Sequence, residues 1–162
     1  SGPGGEALSP AMGSLQRVLR ERRLTISAAE SCTGGLVCAA LTELPGSSDY
    51  FVGGMVTYAN GAKVKQLGVD LETLDRAGAV SHEVAEQMVR GVKALFGSDI
   101  ALSVTGIAGP GAQGPKPAGL TYVGVAFEGR VEVREFRWTG DRAANRADSV
   151  EAALQLAVDI LS

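Results

Sequence analysis

The sequence has little of what metal sites and histidine-dependent catalysis require, since its 162 residues include one histidine and two cysteines. A Ser-His-Asp triad would have to use His82. That residue follows Ser81 at a predicted helix start with no polar cluster around it, so we expect it at the surface. Cys32 and Cys38 are six residues apart, which fits neither a zinc site nor a redox C-x-x-C motif. Because no acidic group resembles a magnesium site either, we predict no metal and no disulfide.

Aromatic residues and positive charge are also scarce. Aromatics make up 5% of the chain, and the formal net charge is −3. Stacking on single-stranded nucleic acid has few rings to use, and apart from Arg20, Arg22 and Arg23 no basic cluster offers a duplex-binding patch. No apolar run reaches the length of a membrane span, and no signal peptide is recognisable. We expect a cytoplasmic protein that binds neither nucleic acid nor membrane.

The order of the predicted elements indicates the fold class. Hydrophobic residues make up 45% of the chain, which is enough for a sizeable core. We predict a disordered segment at 1–7 and a single domain over 8–162. Predicted strands and helices alternate along this domain, and a hairpin signal follows at 120–138. We therefore expect an α/β fold with three α/β/α layers and a mixed, mostly parallel sheet of about five strands.

Three polar clusters each follow a predicted central strand. They lie at 31–35, 58–63 and 105–111. Ligands of such sheets bind beyond the carboxyl ends of the strands. We therefore expect all three clusters to meet at one edge of the sheet.

The first cluster lies in Ala29-Glu30-Ser31-Cys32-Thr33-Gly34-Gly35, a turn between a predicted strand at 24–27 and a predicted helix at 36–44. The start of a helix offers unpaired N–H groups and the positive end of the helix dipole. Gly34 and Gly35 let a ligand approach the backbone closely. This pattern suits a nucleophile with its oxyanion hole, or a phosphate cradle. An ordinary helix N-cap, with Ser31 or Thr33 satisfying backbone donors, explains the same residues.

Without a suitable histidine, a serine nucleophile needs another base, and Lys63 is the best candidate. If Asn60 caps its helix, Lys63 lies at the third helical position, where the dipole favours a neutral amine. Neutrality at pH 7 still requires roughly 4 kcal/mol relative to a free lysine, and only burial can supply that. A solvated Lys63 is the open alternative. Lys65 points elsewhere around the helix, and we expect it in solvent.

The other polar residues suggest a place for a ligand. The Tyr58 hydroxyl could relay a proton, or its ring could plug the sheet edge. Thr105 and the glycines after it resemble a cradle for a sugar or phosphate. Arg142 and Arg146 lie at i and i+4 near a predicted helix start, where guanidinium groups suit a phosphate, although both could be solvated. The segment 109–119 is rich in proline and glycine and predicts a flexible loop over the site.

Six motifs, in order and spacing, resemble the CinA C-terminal domain family over nearly the whole chain. They are Ala29-Glu30-Ser31-Cys32-Thr33-Gly34-Gly35, Gly46-Ser47-Ser48, Val56-Thr57-Tyr58-Ala59-Asn60, Gly78-Ala79-Val80-Ser81, Gly106-Ile107-Ala108-Gly109-Pro110 and Gly140-Asp141-Arg142. The resemblance implies a three-layer α/β/α fold and an amidohydrolase of the serine/lysine type. Its implied reaction converts nicotinamide mononucleotide and water into nicotinic acid mononucleotide and ammonia. It also implies a homo-oligomer, since family members commonly self-associate.

By motif position, the resemblance places the nucleophile on Ser31 and the base on Lys63, with Tyr58 assisting proton transfer. The expected oxyanion donors are the N–H groups of Thr33, Gly34 and Gly35. The expected contacts to the ribose phosphate come from Thr105, Gly106, Gly109, Arg142 and Arg146. This chemistry needs no metal and no organic cofactor.

Two residues depart from the family pattern, and two alternatives remain open. Asn145 stands where an apolar residue usually precedes Arg146, and Gln113 interrupts the usual glycine run of the loop. Cys32 is a second candidate nucleophile, because cysteine serves some amidases and it adjoins Ser31. A non-catalytic nucleotide-binding or regulatory module would use the same glycine loops and arginines.

Overall fold

Strands and helices alternate along the part of the chain that the structure describes. The computed structural model describes residues 9–162, so the segment predicted to be disordered at 1–7 lies outside the described residues, as does Leu8. The elements are α1 Pro10–Arg22, β1 Ile26–Glu30, α2 Leu36–Leu41, β2 Phe51–Val56, α3 Asn60–Leu67, α4 Leu71–Ala77, α5 His82–Phe96, β3 Ile100–Gly106, β4 Leu120–Phe127, β5 Arg130–Arg137 and α6 Arg142–Leu161.

The five strands form one mixed sheet in the order β2-β1-β3-β4-β5. Strand β1 pairs in parallel with β2 and β3, whereas β4 is antiparallel to β3 and β5. Four of the five strands therefore run in the same direction, which confirms the predicted mostly parallel sheet. The hairpin predicted near residue 129 is also confirmed, with Glu128 and Gly129 both at positive φ in its two-residue turn.

Helices cover both faces of the sheet, which confirms the three-layer architecture. Helices α1, α2 and α6 pack together on one face, and α3, α4 and α5 on the other. The alternation of side chains along β1 separates the two cores. Ala28 belongs to the core under α6, and its neighbour Ala29 belongs to the core under α5.

Two predicted boundaries are wrong. The first strand was expected at 24–27 but runs to Glu30, because it lies between β2 and β3 and all five of its residues are buried. Helix α2 was expected to reach residue 44 but ends at Leu41. The Thr42 hydroxyl donates hydrogen bonds to the carbonyls of Cys38 and Ala39, and the Glu43 N–H donates to the Ala40 carbonyl, so the chain leaves the helix through a tighter turn.

The loop at 109–119 is tied to its surroundings at several points. Gln113 and Lys116 exchange two backbone hydrogen bonds, of 2.9 and 3.0 Å. The Lys116 ammonium donates to the carbonyl oxygens of Ala77 and Val80, at 2.6 Å each. The loop that was predicted to be flexible therefore has a bridged backbone and a side-chain anchor on the segment before α5.

Close contact between α3 and α5 depends on Gly91. A Cβ atom at Gly91 would lie 2.1 Å from the carbonyl oxygen of Leu67, the last residue of α3. Any side chain at this position would push the two helices apart. This contact matters for function because α3 carries Lys63.

We expect Gly91→Ala to lower the free energy of unfolding by about 1–3 kcal/mol, because backbone must move to admit the methyl group. Gly13→Ala is the matched control, since Gly13 is also helical and a Cβ there meets nothing within 4 Å. The control should gain roughly 0.5–1 kcal/mol from helix propensity. Urea unfolding of both variants measures the difference, and equal midpoints would contradict this account of Gly91.

Candidate active site

The ends of three strands meet at one edge of the sheet. Glu30, the last residue of β1, pairs with Val56 of β2 and with Val104 of β3. The ladder continues past the strand ends, because the Ser31 N–H donates to Val104 and the Thr57 N–H donates to Glu30. The structure thus brings the cluster at 31–35 beside the one at 58–63, as the sequence predicted.

Ser31 and Lys63 are in direct contact. The Lys63 Nζ lies 2.9 Å from the Ser31 Oγ, 2.7 Å from the Thr57 carbonyl oxygen and 3.1 Å from the Tyr58 carbonyl oxygen. Lys63 is 0% exposed, and it forms no salt bridge within residues 9–162. Of the two states left open by the sequence, the structure therefore has the buried one. Lys65 is exposed, as expected.

The helix that carries Lys63 starts one residue earlier than predicted. Ala59 is the N-cap of α3, and Asn60 is its first helical residue. Lys63 is consequently the fourth residue of the helix rather than the third. Its N–H group already bonds to the Ala59 carbonyl oxygen, so Lys63 lies at the end of the region where the helix dipole acts.

Burial is the main influence on the charge of Lys63. Desolvation lowers the pKa of its amine from 10.5 to about 8, and Cys32 acts weakly in the opposite direction. That change corresponds to roughly 3 kcal/mol, whereas a helix dipole supplies roughly 0.3–1 kcal/mol. At pH 7 about a tenth of the molecules would carry a neutral amine.

The three partners of Lys63 suit proton transfer without movement of heavy atoms. A protonated amine donates to all three oxygens. A neutral amine keeps two N–H bonds for the Thr57 and Tyr58 carbonyls, and its lone pair then faces the Ser31 hydroxyl. The arrangement can therefore hold either protonation state of the Lys63–Ser31 pair.

Burial also affects the neighbouring thiol. Cys32 is buried, and desolvation raises the pKa of its thiol to about 11. A thiolate is the nucleophilic form of cysteine, so burial disfavours Cys32 as a nucleophile at neutral pH. Burial also raises the pKa of Cys38, with Glu30 adding to the shift.

Glu30 organises the turn after β1, a role that the sequence analysis missed. Its side chain is 0% exposed. One carboxylate oxygen accepts from the Thr33 hydroxyl at 2.6 Å, from the Gly35 N–H at 3.1 Å and from the Val37 N–H at 2.9 Å, and the other accepts from the Cys38 N–H at 2.8 Å. The sequence held one signal for this role. Gly35, the N-cap of α2, has no side chain to cap the helix, and Glu30 lies five residues before it.

Two of the residues predicted to stabilise an oxyanion do not offer a free donor. The Gly34 N–H donates to the Ser31 carbonyl, and the Gly35 N–H donates to Glu30. The prediction for these two glycines is therefore wrong in this structure, because the turn itself uses their N–H groups. Within residues 9–162, the Thr33 N–H donates no hydrogen bond, and the Cys32 N–H donates none to another residue.

Backbone geometry explains why the turn contains Gly34 and Gly35. Gly34 and Gly35 have φ values of 59° and 111°, in the left-handed region that other residues rarely adopt. The alternative of a simple N-cap by Ser31 or Thr33 is also wrong. The N-cap residue of α2 is Gly35, which has no side chain, and the Thr33 hydroxyl donates to Glu30.

The two arginines of α6 have different surroundings. The Arg146 guanidinium donates to the carbonyl oxygens of Cys32 and Thr33, at 3.1 and 3.2 Å, and does not line the pocket. Its predicted contact with a substrate phosphate is therefore not supported, because its hydrogen bonds hold the nucleophile turn against α6. Arg142 does line the pocket, where it donates to the Gly109 carbonyl at 2.8 Å and to the Tyr58 hydroxyl at 3.4 Å.

A pocket of about 340 Å³ opens above the Ser31–Lys63 contact. Among residues 9–162, no carboxylate lines it, and Arg142 and Lys63 are its cationic residues. The lining residues are Ser31, Cys32, Tyr58, Asn60, Lys63, Ala79, Val80, Thr105, Gly106, Ile107, Ala108, Gly109, Gly111, Gln113 and Arg142. The pocket therefore favours a ligand with an anionic group near Arg142.

Tyr58 and Thr105 line the pocket, and the hydroxyls of both have partners in the protein. The Tyr58 side chain is 59% exposed and its hydroxyl contacts Arg142, so it neither plugs the sheet edge nor reaches Ser31 or Lys63. The backbone carbonyl of Tyr58 is the group that accepts from Lys63. The Thr105 hydroxyl is buried and donates to the Ala79 carbonyl, which holds the pocket wall.

Other candidate sites are weaker. His82 is exposed at the start of α5 and does not line this pocket. Within residues 9–162, no group of three or more His, Cys, Asp or Glu side chains could hold a metal ion, and no helix is long and apolar enough to cross a bilayer. A cavity of about 670 Å³ at the opposite end of the sheet, beside Gly129, contains none of the predicted site residues.

The sequence of this chain is similar to those of one protein family, described as CinA or CinA-like. The model of the CinA C-terminal domain matches residues 9–161. A CinA-like protein of Thermosynechococcus vestitus is 55% identical over 132 residues, and one of Chlorobium limicola is 50% identical over 145 residues. These matches cover 80% and 86% of this chain, which spans about a third of the relatives' length, 32% and 34% respectively.

Solved structures of CinA superfamily proteins have the same fold as this chain. A competence-damaged protein (CinA) superfamily protein from Klebsiella pneumoniae has a TM-score of 0.92 and 34% identity, covering 96% of this chain and 98% of that one. The competence/damage inducible protein CihA from Agrobacterium tumefaciens has a TM-score of 0.90 and 38% identity, covering 97% and 100%. Neither name specifies a reaction.

We expect Glu30→Gln to lower the free energy of unfolding by about 1–3 kcal/mol, because one of the four donors around the side chain would face an amide nitrogen instead of an acceptor oxygen. Glu21→Gln is the matched control, since Glu21 is exposed on α1. Urea unfolding measures both variants. A Glu30→Gln protein as stable as the control would contradict the role assigned to this carboxylate.

Proposed function

The chain belongs to the CinA C-terminal domain family, and from this membership and the geometry at Ser31 we propose that it is a serine/lysine amidohydrolase. The proposed reaction converts nicotinamide mononucleotide and water into nicotinic acid mononucleotide and ammonia. The observation that carries the proposal is the 2.9 Å contact between the buried Lys63 amine and the Ser31 hydroxyl. A purely structural role gives no reason to bury a lysine without a carboxylate partner.

The first step is the activation and attack of Ser31. The neutral Lys63 amine takes the hydroxyl proton while the Ser31 oxygen bonds to the carboxamide carbon of the nicotinamide ring. The carbonyl electron pair moves onto its oxygen, which gives a tetrahedral oxyanion. Lys63 becomes an ammonium, which donates hydrogen bonds to the Thr57 and Tyr58 carbonyls that already hold the amine.

The oxyanion requires donors near Ser31. We assign this role to the backbone N–H groups of Cys32 and Thr33, which donate to no other residue within the described part of the chain. A donor of this kind is typically worth about 2.7–4 kcal/mol in the transition state. Arg146 supports the Thr33 N–H, because it binds the Cys32 carbonyl, which lies in the same peptide plane as that N–H.

The remaining steps return the enzyme to its starting state. The Lys63 ammonium gives its proton to the amide nitrogen, the carbon–nitrogen bond breaks, and ammonia leaves an acyl ester on Ser31. Lys63 then takes a proton from water as the water oxygen attacks the ester carbon. The ester bond breaks, Lys63 returns the proton to the Ser31 oxygen, and nicotinic acid mononucleotide departs.

The phosphate end of the substrate is assigned to Arg142. Arg142 is the exposed cation of the pocket and can present its guanidinium to a phosphate in a fork geometry. Tyr58 lies beside it through the contact of its hydroxyl. Gly106 and Gly109 form part of the wall with Thr105.

A non-catalytic nucleotide-binding module would also use Arg142 and the glycine-rich wall. Such a module has no need of a desolvated amine against a serine hydroxyl. The two functions give different results in one assay, because the module would bind the mononucleotide without releasing ammonia.

We expect Ser31→Ala to lower ammonia release from nicotinamide mononucleotide by about 10⁴-fold or more, because no covalent intermediate can form. Cys32→Ala is the matched neighbour and should stay within about threefold of wild type, since its thiol is protonated at neutral pH. An enzymatic ammonia assay with circular dichroism as a folding check measures both. Loss of activity in Cys32→Ala with full activity in Ser31→Ala would move the nucleophile to Cys32.

We expect kcat/KM to rise about tenfold per pH unit below pH 8 and to level off above it, because Lys63 must be neutral and its pKa is lowered to about 8. The activity is thus lost as the pH falls through the pKa of the base. Measurement between pH 7 and 9.5 avoids titration of the substrate phosphate, whose second pKa is about 6.

Lys65 lies on the same helix as Lys63 and provides a control for substitution of the proposed base. Lys63→Met should abolish the activity at every pH in that range, whereas Lys65→Met should keep both the activity and the profile because Lys65 is exposed. A flat profile in the wild type, or a Lys63→Met protein with normal turnover, would refute the assignment of Lys63.

A further inference from the structure

We propose that Gln113 is a specificity-determining residue whose side-chain carboxamide hydrogen-bonds a sugar hydroxyl of the bound nucleotide. This inference rests on the proposed function and adds a contact that the family resemblance does not supply, because Gln113 interrupts the usual glycine run of the loop. Four observations carry it: an uncommitted side chain, a fixed backbone, the lack of competing groups nearby and the charge of the pocket.

The Gln113 side chain lines the pocket and has no protein partner. Its carboxamide forms no hydrogen bond within residues 9–162, although its backbone N–H and carbonyl are both bonded. The side chain of Asn60, on a separate segment of the pocket lining, is likewise without a hydrogen bond in this part of the chain. The pocket therefore presents two neutral amide groups whose donors and acceptors are available to a ligand.

The backbone that carries this carboxamide is held in place. Gln113 exchanges hydrogen bonds of 2.9 and 3.0 Å with Lys116. The Lys116 ammonium is in turn fixed to the Ala77 and Val80 carbonyls, and Val80 is itself a pocket residue. A side chain on an anchored backbone loses less conformational entropy on binding than one on a free loop, so its contact contributes more to affinity.

No other side chain in this stretch of the loop can replace it. Gly111 and Gly114 flank Gln113 closely, and a Cβ atom at either glycine would meet nothing within 4 Å. The remaining neighbour, Ala112, has no polar side-chain atom. Within 111–114, Gln113 is thus the residue that brings side-chain hydrogen-bonding groups to the pocket.

The chemistry of the pocket selects a hydroxyl as the partner. The reacting carboxamide of the substrate lies at Ser31, and its phosphate lies at Arg142, so the sugar carries the polar groups that remain. A hydroxyl both donates and accepts, which matches the adjacent N–H₂ and carbonyl of a carboxamide. In the part of the chain that the structure describes, no carboxylate lines the pocket to compete for the hydroxyl proton.

The experiment compares three probes: nicotinamide mononucleotide, nicotinamide riboside, which lacks the phosphate, and free nicotinamide, which lacks the ribose and with it the positive charge of the pyridinium ring. Binding is measured by calorimetry in the Ser31→Ala background, so that no turnover occurs, and ammonia release is measured in the otherwise wild-type chain. Gln113→Ala and Gln113→Gly remove the carboxamide. Gln66→Ala is the matched control, because Gln66 is exposed on α3 and does not line the pocket.

We expect both Gln113 variants to weaken binding of the mononucleotide and of the riboside by the same factor, about three- to tenfold, as the loss of one neutral hydrogen bond predicts. Binding of free nicotinamide should not change, and neither should kcat. Arg142→Ala should weaken the mononucleotide alone. This pattern separates the sugar contact from the phosphate contact and from general damage to the loop.

Other results overturn the inference in distinct ways. Unchanged affinity for the mononucleotide and riboside in both Gln113 variants refutes the sugar contact, even where the wild type releases ammonia. Equal weakening of all three probes, or of the mononucleotide alone, refutes it as well. Gln113-dependent binding of the mononucleotide and riboside without ammonia release supports the sugar contact and refutes the proposed reaction instead. A chain that binds none of the probes refutes both.

Discussion

The site depends on the burial of one amine beside one hydroxyl. Lys63 is held by two backbone carbonyls, those of Thr57 and Tyr58, and by the Ser31 hydroxyl. A carboxylate in place of either carbonyl would favour the ammonium and raise the pKa of the amine. Neutral acceptors satisfy its N–H bonds without stabilising its charge to the same degree. Burial can therefore lower the pKa to about 8, in the range that a general base at neutral pH requires.

The ionised groups around this pair mainly hold the backbone. Glu30 accepts four hydrogen bonds that shape the turn after β1, and Arg146 binds two carbonyls of the same turn. Lys116 anchors the opposite wall through two more carbonyls. These charges bind backbone dipoles rather than each other, so each side chain fixes a segment without neutralising the pocket. Arg142 is the one that remains available to a ligand at the rim.

This division explains which sequence predictions succeeded. The motif positions of Ser31, Lys63 and Arg142 all lie on the pocket, because strand ends in a parallel arrangement meet at one edge. The positions of Arg146, Gly34 and Gly35 also belong to conspicuous motifs, yet their polar groups are used within the protein. A motif indicates that its residues belong to the site. It does not show which of them would contact a ligand and which hold the contacting residues in place.

The sequence by itself determined the fold class and the edge of the sheet where polar residues gather, because hydrophobic periodicity and strand order are local and repeat along the chain. The tertiary structure alone decided the state of Lys63, since desolvation depends on every segment that covers the amine. It also decided the partners of Glu30, which are four separate donors brought together by the turn. The burial of Lys63 arises from packing between distant segments. The partners of Glu30 lie within eight residues of it but depend on the path of the turn, so residue types and spacing alone predict neither.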